Sequence, residues 1–300
     1  MSSFDDLFQQ NNEQSIPRND QPFDKDAWAQ KKQEQREQVY TMIDDTTVAV
    51  SRDGSKFQSY LDVQSRFNRY SVSNALLILA QKPNATRIAD FDTWKEQGTY
   101  VRKKESGFYI LEPGEEYQRE DGTTGISYNP KKMFDITQTG NSRKREIPSY
   151  PDERTRLKAL MDHAPVPIHI SETLPSGVNA LYQSEKREIQ VRQGMDAGSI
   201  FRALSQELVH AEMDNGDGSY NRTMHGFHAY CSSYMLCKQY GVETGGFYHF
   251  EGAPQELSTL KLQEIRAELT VIKEASGEIS GRMNQMLKQQ PHQKWQEPGR

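Results

Sequence analysis

The chain has 300 residues, a net charge of −5, a hydrophobic content of 34% and a mean hydropathy of −0.88. That length suggests two modest units, and so little apolar material implies that part of the chain is solvated rather than packed. No apolar run reaches the roughly 18 residues that cross a bilayer, and the opening MSSFDDLFQQNNEQ lacks the basic and apolar parts of a secretion signal, so a cytoplasmic protein without a membrane partner is expected.

In chain order, residues 1–32 are polar, carry Pro17 and Pro22, and are expected to be a disordered leader on which Phe23 and Trp28 could dock. Lys31 to Met42, rich in Gln, Glu, Lys and Arg, favours helix. A second helix is expected over Gly54 to Asn68, where Phe57, Tyr60, Leu61 and Val63 form an apolar stripe. Ser71 can cap a third, with Val72, Ala75, Leu76, Ile78 and Leu79 toward a core and a stop before Pro83. The period then changes: Tyr100 to Arg102, Phe108 to Leu111, Thr124 to Tyr128 and Lys132 to Ile136 suit short strands, with turns at Pro113-Gly114 and Asp121-Gly122.

Residues 140–151 have a linker's composition. A helix follows near Glu153 to Met161, then an extended Val166 to Ile170 and a hairpin of Ala180 to Tyr182 with Glu188 to Arg192 around Ser184-Glu185-Lys186. Helices are expected from Gly198 to Met213, from Met224 to Tyr240 with Gly241 closing the end, and from Gln255 to Lys288. Cys231 and Cys237, six apart on one helix, point in different directions and suit buried reduced thiols rather than a disulfide. The fold class is α+β: a small α+β unit over 33–139, the linker, a mainly helical unit over 152–288 with a small hairpin or sheet, and a polar tail from 289. The closing HQKWQEPGR does not resemble a domain end, so a longer parent protein is expected.

Two stretches carry chemistry. The first is SQELVHAEM, residues 205–213. A zinc peptidase sets two histidines four apart on one helix, with a glutamate after the first as general base. Here those positions hold Gln206, Glu207 and His210. Gln206 is a neutral amide and a poor ligand, and without a Lewis acid Glu207 has no acidified water to deprotonate. The plain alternatives are a buried, hydrogen-bonded His210 and a Glu207 bonded to a neighbouring helix. The second stretch runs from Arg66 to Lys104, with eight basic and three acidic residues, a local charge of +5. Asn68, Tyr70, Asn74, Trp94, Tyr100 and Tyr109 interleave with the cations, a composition suited to single-strand binding by phosphate contact and base stacking.

The run IQVRQGM…FRALSQELVHAEM…FHAYCSSYMLCKQYGV resembles the zincin-like C-terminal domain of ArdC-type antirestriction proteins of conjugative elements. The resemblance implies that Tyr230 stands where the family has a ligand glutamate and Gln206 where it has the first histidine, leaving His210 as a vestigial metal ligand. At about 100° per residue, His228 lies roughly 160° and His225 roughly 140° from the face of Tyr230, so neither replaces that carboxylate. The run RYSxxNxLLI…FDTWKEQGxxVRKKESGFYILEP is similar to the N-terminal single-stranded-DNA-binding domain of the same family, with Lys104-Glu105-Ser106-Gly107 in place of its glycine-rich turn.

Taken with the basic composition, that resemblance points to phosphate contacts at Arg66, Arg69, Lys95, Arg102, Lys103 and Lys104. It implies base stacking at Tyr70, Trp94 and Tyr109, and a base-edge hydrogen bond, or a structural tie, at Asn74. It implies a single-stranded-DNA-binding protein of a bacterial mobile element, serving antirestriction or conjugation with other element proteins; the missing ligands at Gln206 and Tyr230 predict no cofactor and a peptidase domain that has lost its zinc, with residual zinc binding as the alternative. A metal-dependent peptidase with an unusual ligand set, Glu207 being catalytic, and a peptide-holding interaction module are the alternatives.

Overall fold

A computed structural model describes residues 25–119, 121–140, 150–247 and 250–288. The expected tail and residues 1–24 of the expected leader lie outside the described residues, as does most of the expected linker. Residues 25–32 are not a disordered leader: α1 runs Lys25–Arg52. Its start is dense in Ala, Gln, Lys and Glu, and Gln30–Glu34 and Gln33–Glu37 side chains bond one turn apart at 3.0 Å. It continues through the β-branched Thr46-Thr47-Val48 because Val39, Ile43, Thr47 and Val50 recur on one buried face. The hydroxyls of Thr46 and Thr47 donate to the carbonyls four residues back, at 2.6 and 2.7 Å.

Asp53 caps α2 (Gly54–Arg66), and Ser71 caps α3 (Val72–Gln81) as expected. After β1 (Ile88–Ala89) and the short α4 (Phe91–Glu96) comes a two-stranded ribbon, β2 (Phe108–Gln118) and β3 (Thr124–Asp135), and the sheet order is β1-β3-β2, all antiparallel. The expected turn at Pro113-Gly114 is instead a register irregularity inside β2, which an edge strand tolerates because Pro113 has no ladder hydrogen to give. The true turn is at Asp121-Gly122: Gly122 takes φ +80 and Asp121 accepts from the Thr123 amide at 2.9 Å. Tyr100 to Arg102 forms no full strand, only a single bridge between Val101 and Thr139.

Beyond residue 150 come α5 (Glu153–Met161), β4 (Ile168–Ser171), β5 (Ala180–Gln183) and β6 (Glu188–Arg192), then α6 (Ala197–Met213) and α7 (Arg222–Tyr240). The sheet order is β4-β6-β5, with β5 and β6 forming the expected hairpin and β4 parallel to β6. The single helix expected from Gln255 is two, α8 (Ala253–Leu257) and α9 (Leu262–Lys288), with the Lys261 amide held by Glu264 at 2.8 Å where α9 begins. Gly241 takes φ +66 at the end of α7, and both cysteines are free and buried. The fold is α+β.

One hydrophobic core cluster draws residues from both sides of the expected linker. Phe57 of α2 stacks on Phe227 of α7 at 5.5 Å and lies 5.9 Å from Phe250. Around that contact the Tyr234 hydroxyl donates to Asp62 at 2.7 Å, Lys238 pairs with Asp62 at 3.0 Å, and Arg266 of α9 pairs with Asp44 of α1 at 2.6 Å. No helix among the described residues is long and apolar enough to cross a membrane.

Candidate functional site

Asp196 caps α6 through the Ser199 amide at 2.9 Å, and the helix buries Phe201, Leu204, Leu208 and Val209. The same face carries Glu207 and His210 inward, at 3% and 4% exposure, while Gln206 is half-buried. A carboxylate removed from water requires charged or hydrogen-bonding partners, and Glu207 accepts three hydrogen bonds from two residues. Arg222, the first residue of α7, donates to both its oxygens at 2.7 and 2.6 Å, and the backbone amide of Tyr182 on β5 donates at 2.6 Å. This two-pronged pairing is the strongest form of ion pair. It ties α6 to α7 and to the edge of β5, and Glu207 in turn raises the pKa of the Arg222 guanidinium.

His210 shares a 2.9 Å hydrogen bond between its Nδ1 and the Tyr220 hydroxyl. Burial, with smaller contributions from the cationic Arg222 and from His225, pushes its pKa down to about 3, so it is a neutral imidazole at ordinary pH. Burial lifts Tyr220 to about 12 and, with the Asp214 carboxylate, Tyr182 to about 12. Tyr182 donates to Asp214 at 2.8 Å and meets Tyr220 edge-on at 5.8 Å, while Tyr220 stacks on His225 at 5.7 Å. Tyr220 thus stands between the two histidine rings, 6.1 Å from His210 and 5.7 Å from His225. His228 points to α9, with Nε2 2.5 Å from Glu268.

Glu207 and His210 do not by themselves make a cation site. Both oxygens of Glu207 are held by the Arg222 guanidinium, and Nδ1 of His210 is bonded to Tyr220, which leaves Nε2 as its one ring nitrogen for a metal. Tyr230 lies in an aromatic cluster, 5.0 Å from Phe247 and 5.4 Å from Phe250. Among the described residues no three histidine, cysteine, aspartate or glutamate side chains converge as a metal site would require. The reading of Glu207 as a carboxylate bonded to a neighbouring helix matches its geometry, but the sequence reading missed Arg222. Its signal was an unassigned cation at a helix start, fifteen residues from a glutamate on an apolar face.

The other candidate residues divide by exposure. Trp94 is not a stacking platform as the chain folds: it is 1% exposed, packs with Ala89 and Phe134, and its Nε1 donates to the Phe134 carbonyl at 3.0 Å. Asn74 is not available to a base edge either. It gives and takes hydrogen bonds with the backbone of Leu111 at 2.9 and 2.7 Å, and Gln81 treats Tyr109 alike at 2.8 and 2.9 Å. Two amides seven apart on α3 thus satisfy the outer edge of β2 in place of a further strand.

Arg66 is half-buried and tied to the Pro83 carbonyl. Tyr70, edge-on to Phe67 at 5.8 Å, and Tyr109 are partly buried. Arg69 is exposed, and Arg102 is exposed but bonded to Glu105 and to the Thr137 carbonyl at 2.8 Å. Lys95, Lys103 and Lys104 are exposed and pair with no carboxylate among the described residues. Tyr100, one of the interleaved aromatics but not among the assigned stacking residues, is 66% exposed. The loop carrying it is pinned by Arg102 N to Gln138 O at 2.9 Å, Gly140 N to Tyr100 O at 2.9 Å and the Gln138 side chain to Ser106 O at 2.8 Å.

Residues 29–151 match the family described as the N-terminal domain of anti-restriction factor ArdC. An uncharacterized Bacillus anthracis protein, pXO2-81, is 22% identical over 279 aligned residues covering 71% of this chain; the chain spans about half, 46%, of that relative's length. Crystal structures of the antirestriction ArdC protein from plasmid R388 are also similar. The metal-free form has a TM-score of 0.48 at 18% identity, covering 72% of this chain and 86% of its own. The Mn(II)-bound form has a TM-score of 0.47 at 16% identity, covering 71% and 85%.

Proposed function

Residues 29–151 belong to the family of ArdC N-terminal domains, and from that premise we propose that the chain is an antirestriction-type protein of a mobile element. In this reading it holds single-stranded DNA on the exposed basic surface between Lys95 and Lys104. Its second half is a scaffold that needs no metal and cuts no peptide.

The observation that carries the DNA reading is the set of exposed lysines, Lys95, Lys103 and Lys104, without a carboxylate partner among the described residues. An unneutralised ammonium in water attracts phosphate and releases its counterions, so such binding is steeply salt-dependent. The Glu207–Arg222 pair supports the scaffold reading, because both carboxylate oxygens are engaged by a guanidinium instead of being turned to a water or a metal.

The test is fluorescence anisotropy with labelled oligo-dT, duplex and RNA across a salt series. The expected result is micromolar or tighter oligo-dT binding that weakens steeply with salt. K103E/K104E should lower low-salt affinity about tenfold and flatten the slope. A flat salt response in the native chain, or equal affinity for duplex, contradicts the proposal. Dialysed protein should hold less than stoichiometric zinc, and His210→Ala should not change its metal content. A stoichiometric ion lost in that variant contradicts the scaffold reading.

A further inference from the structure

The ring of Tyr100 is unusually placed for a tyrosine. It is 66% exposed, yet its backbone is fixed: its carbonyl accepts from the Gly140 amide at 2.9 Å, and the next residue, Val101, bridges to Thr139. In this short extended segment successive side chains point to opposite sides. Val101 turns inward against Trp94, Phe134 and Ala89, so Tyr100 and Arg102 share the outer side. The outward direction of the ring therefore follows from the packing of its neighbour.

Gly140 supplies the seat. A Cβ at that position would lie 2.8 Å from both Cε1 and Cζ of Tyr100, closer than side-chain carbons approach one another. The phenol thus rests against bare backbone on one side and faces water on the other. A large aromatic surface held in this way costs little conformational entropy when a second flat ring stacks on it. Exposed cations follow on the chain: Lys103 and Lys104 are three and four residues on, within roughly 10–14 Å at full extension. Lys104, at φ +68, turns the chain there.

We propose that Tyr100, seated on Gly140 and flanked by Lys103 and Lys104, is the platform on which an unpaired nucleobase of single-stranded DNA stacks. This rests on the single-strand reading above and assigns its base contact to a residue other than Trp94, Tyr70 or Tyr109. Phosphate attraction alone does not distinguish an unpaired strand from a duplex, whereas a single open ring needs a base that has left its stack. The platform therefore supplies the discrimination, and the lysines supply the pull.

The test uses the full chain, labelled oligo-dT and the same oligonucleotide with abasic sites, with Tyr100→Leu, Tyr100→Trp and Gly140→Ala. Tyr100→Leu should weaken oligo-dT binding roughly five- to a hundredfold while leaving the melting temperature unchanged. Tyr100→Trp should bind like the native chain. Gly140→Ala, which pushes the ring from its seat, should fall between. The native chain should bind the abasic strand as weakly as Tyr100→Leu does, and that variant should not distinguish the two strands. Salt-dependent oligo-dT binding that Tyr100→Leu leaves intact would overturn the platform and leave the single-strand reading standing. No binding by the native chain at all would overturn both.

Discussion

The α6–α7 contact and the Lys95–Lys104 surface use charge in opposite ways. At the first, an acid and a base are brought within 2.7 Å and satisfy each other, with a buried tyrosine amide completing the carboxylate's shell. At the second, three lysines stand in water with no carboxylate among the described residues beside them. Side chains of similar chemistry are thus a fastener in one place and a free surface in the other. A motif that looks catalytic in sequence can also be a fastener, and the same kinds of charge left unpaired make a surface open to a ligand.

Breaking the fastener should have the largest effect. Arg222→Met leaves Glu207 buried without its cation, which costs on the order of 3–5 kcal/mol for a fully buried pair, and about 3 here because the Arg222 side chain is 43% exposed. Glu207→Gln in the same chain should recover part of that loss, since the remaining amide carries no charge to bury. Urea unfolding of the two single variants and the double variant measures the coupling. Additive losses would mean that the pair is a bystander.

The pH dependence of stability sharpens the same contrast. The pKa of His210 falls from the ordinary value of 6.5 to about 3, so between those values the unfolded chain binds a proton that the folded chain refuses. Stability is unaffected by this group above pH 6.5, and declines as pH falls toward 3. The steepest contribution is one proton, about 1.4 kcal/mol per pH unit. His210→Phe should remove that slope in urea titrations at pH 7, 6, 5 and 4. Exposed Lys103→Gln should leave the slope as it is. Parallel profiles for native chain and His210→Phe would show that the histidine is not kept neutral by its surroundings.

How far the sequence disclosed all this depended on how local the cause was. Ser71, Gly241 and the hairpin around Ser184-Glu185-Lys186 rest on neighbouring residues, and they stand where the sequence places them. Pro113-Gly114 signalled a turn, but a long ribbon on an edge could absorb it as an irregularity, and nothing nearby in sequence announces the ribbon. Arg222 was hidden for a different reason: its partner lies on another helix, and a carboxylate bonded to a neighbouring helix does not say in sequence which cation meets it. Asn74 and Trp94 carried the right residue types for a nucleic-acid surface. Their fates were set by Leu111 and Phe134, about forty residues away, and only packing decides which of two such partners a side chain takes.

Trp94 gives the smallest expected effect and the clearest separation of interior from surface. It lies in the same basic stretch as Lys95, and Arg87 sits over its ring at 5.4 Å, so sequence and charge alone would group it with the binding face. Its indole nitrogen, however, donates to Phe134 at 3.0 Å, and the ring is 1% exposed. Trp94→Phe removes that bond and leaves a buried carbonyl with one partner fewer, a loss of about 1–2 kcal/mol. Urea unfolding should register it, while oligo-dT affinity at matched salt should change less than about twofold, because a cost of that kind falls on folding and not on the bound strand. A variant that folds as well as the native chain but binds tenfold more weakly would reverse the assignment. It would mean that the indole leaves its seat to meet the base, and that Tyr100 only marks the edge of the site.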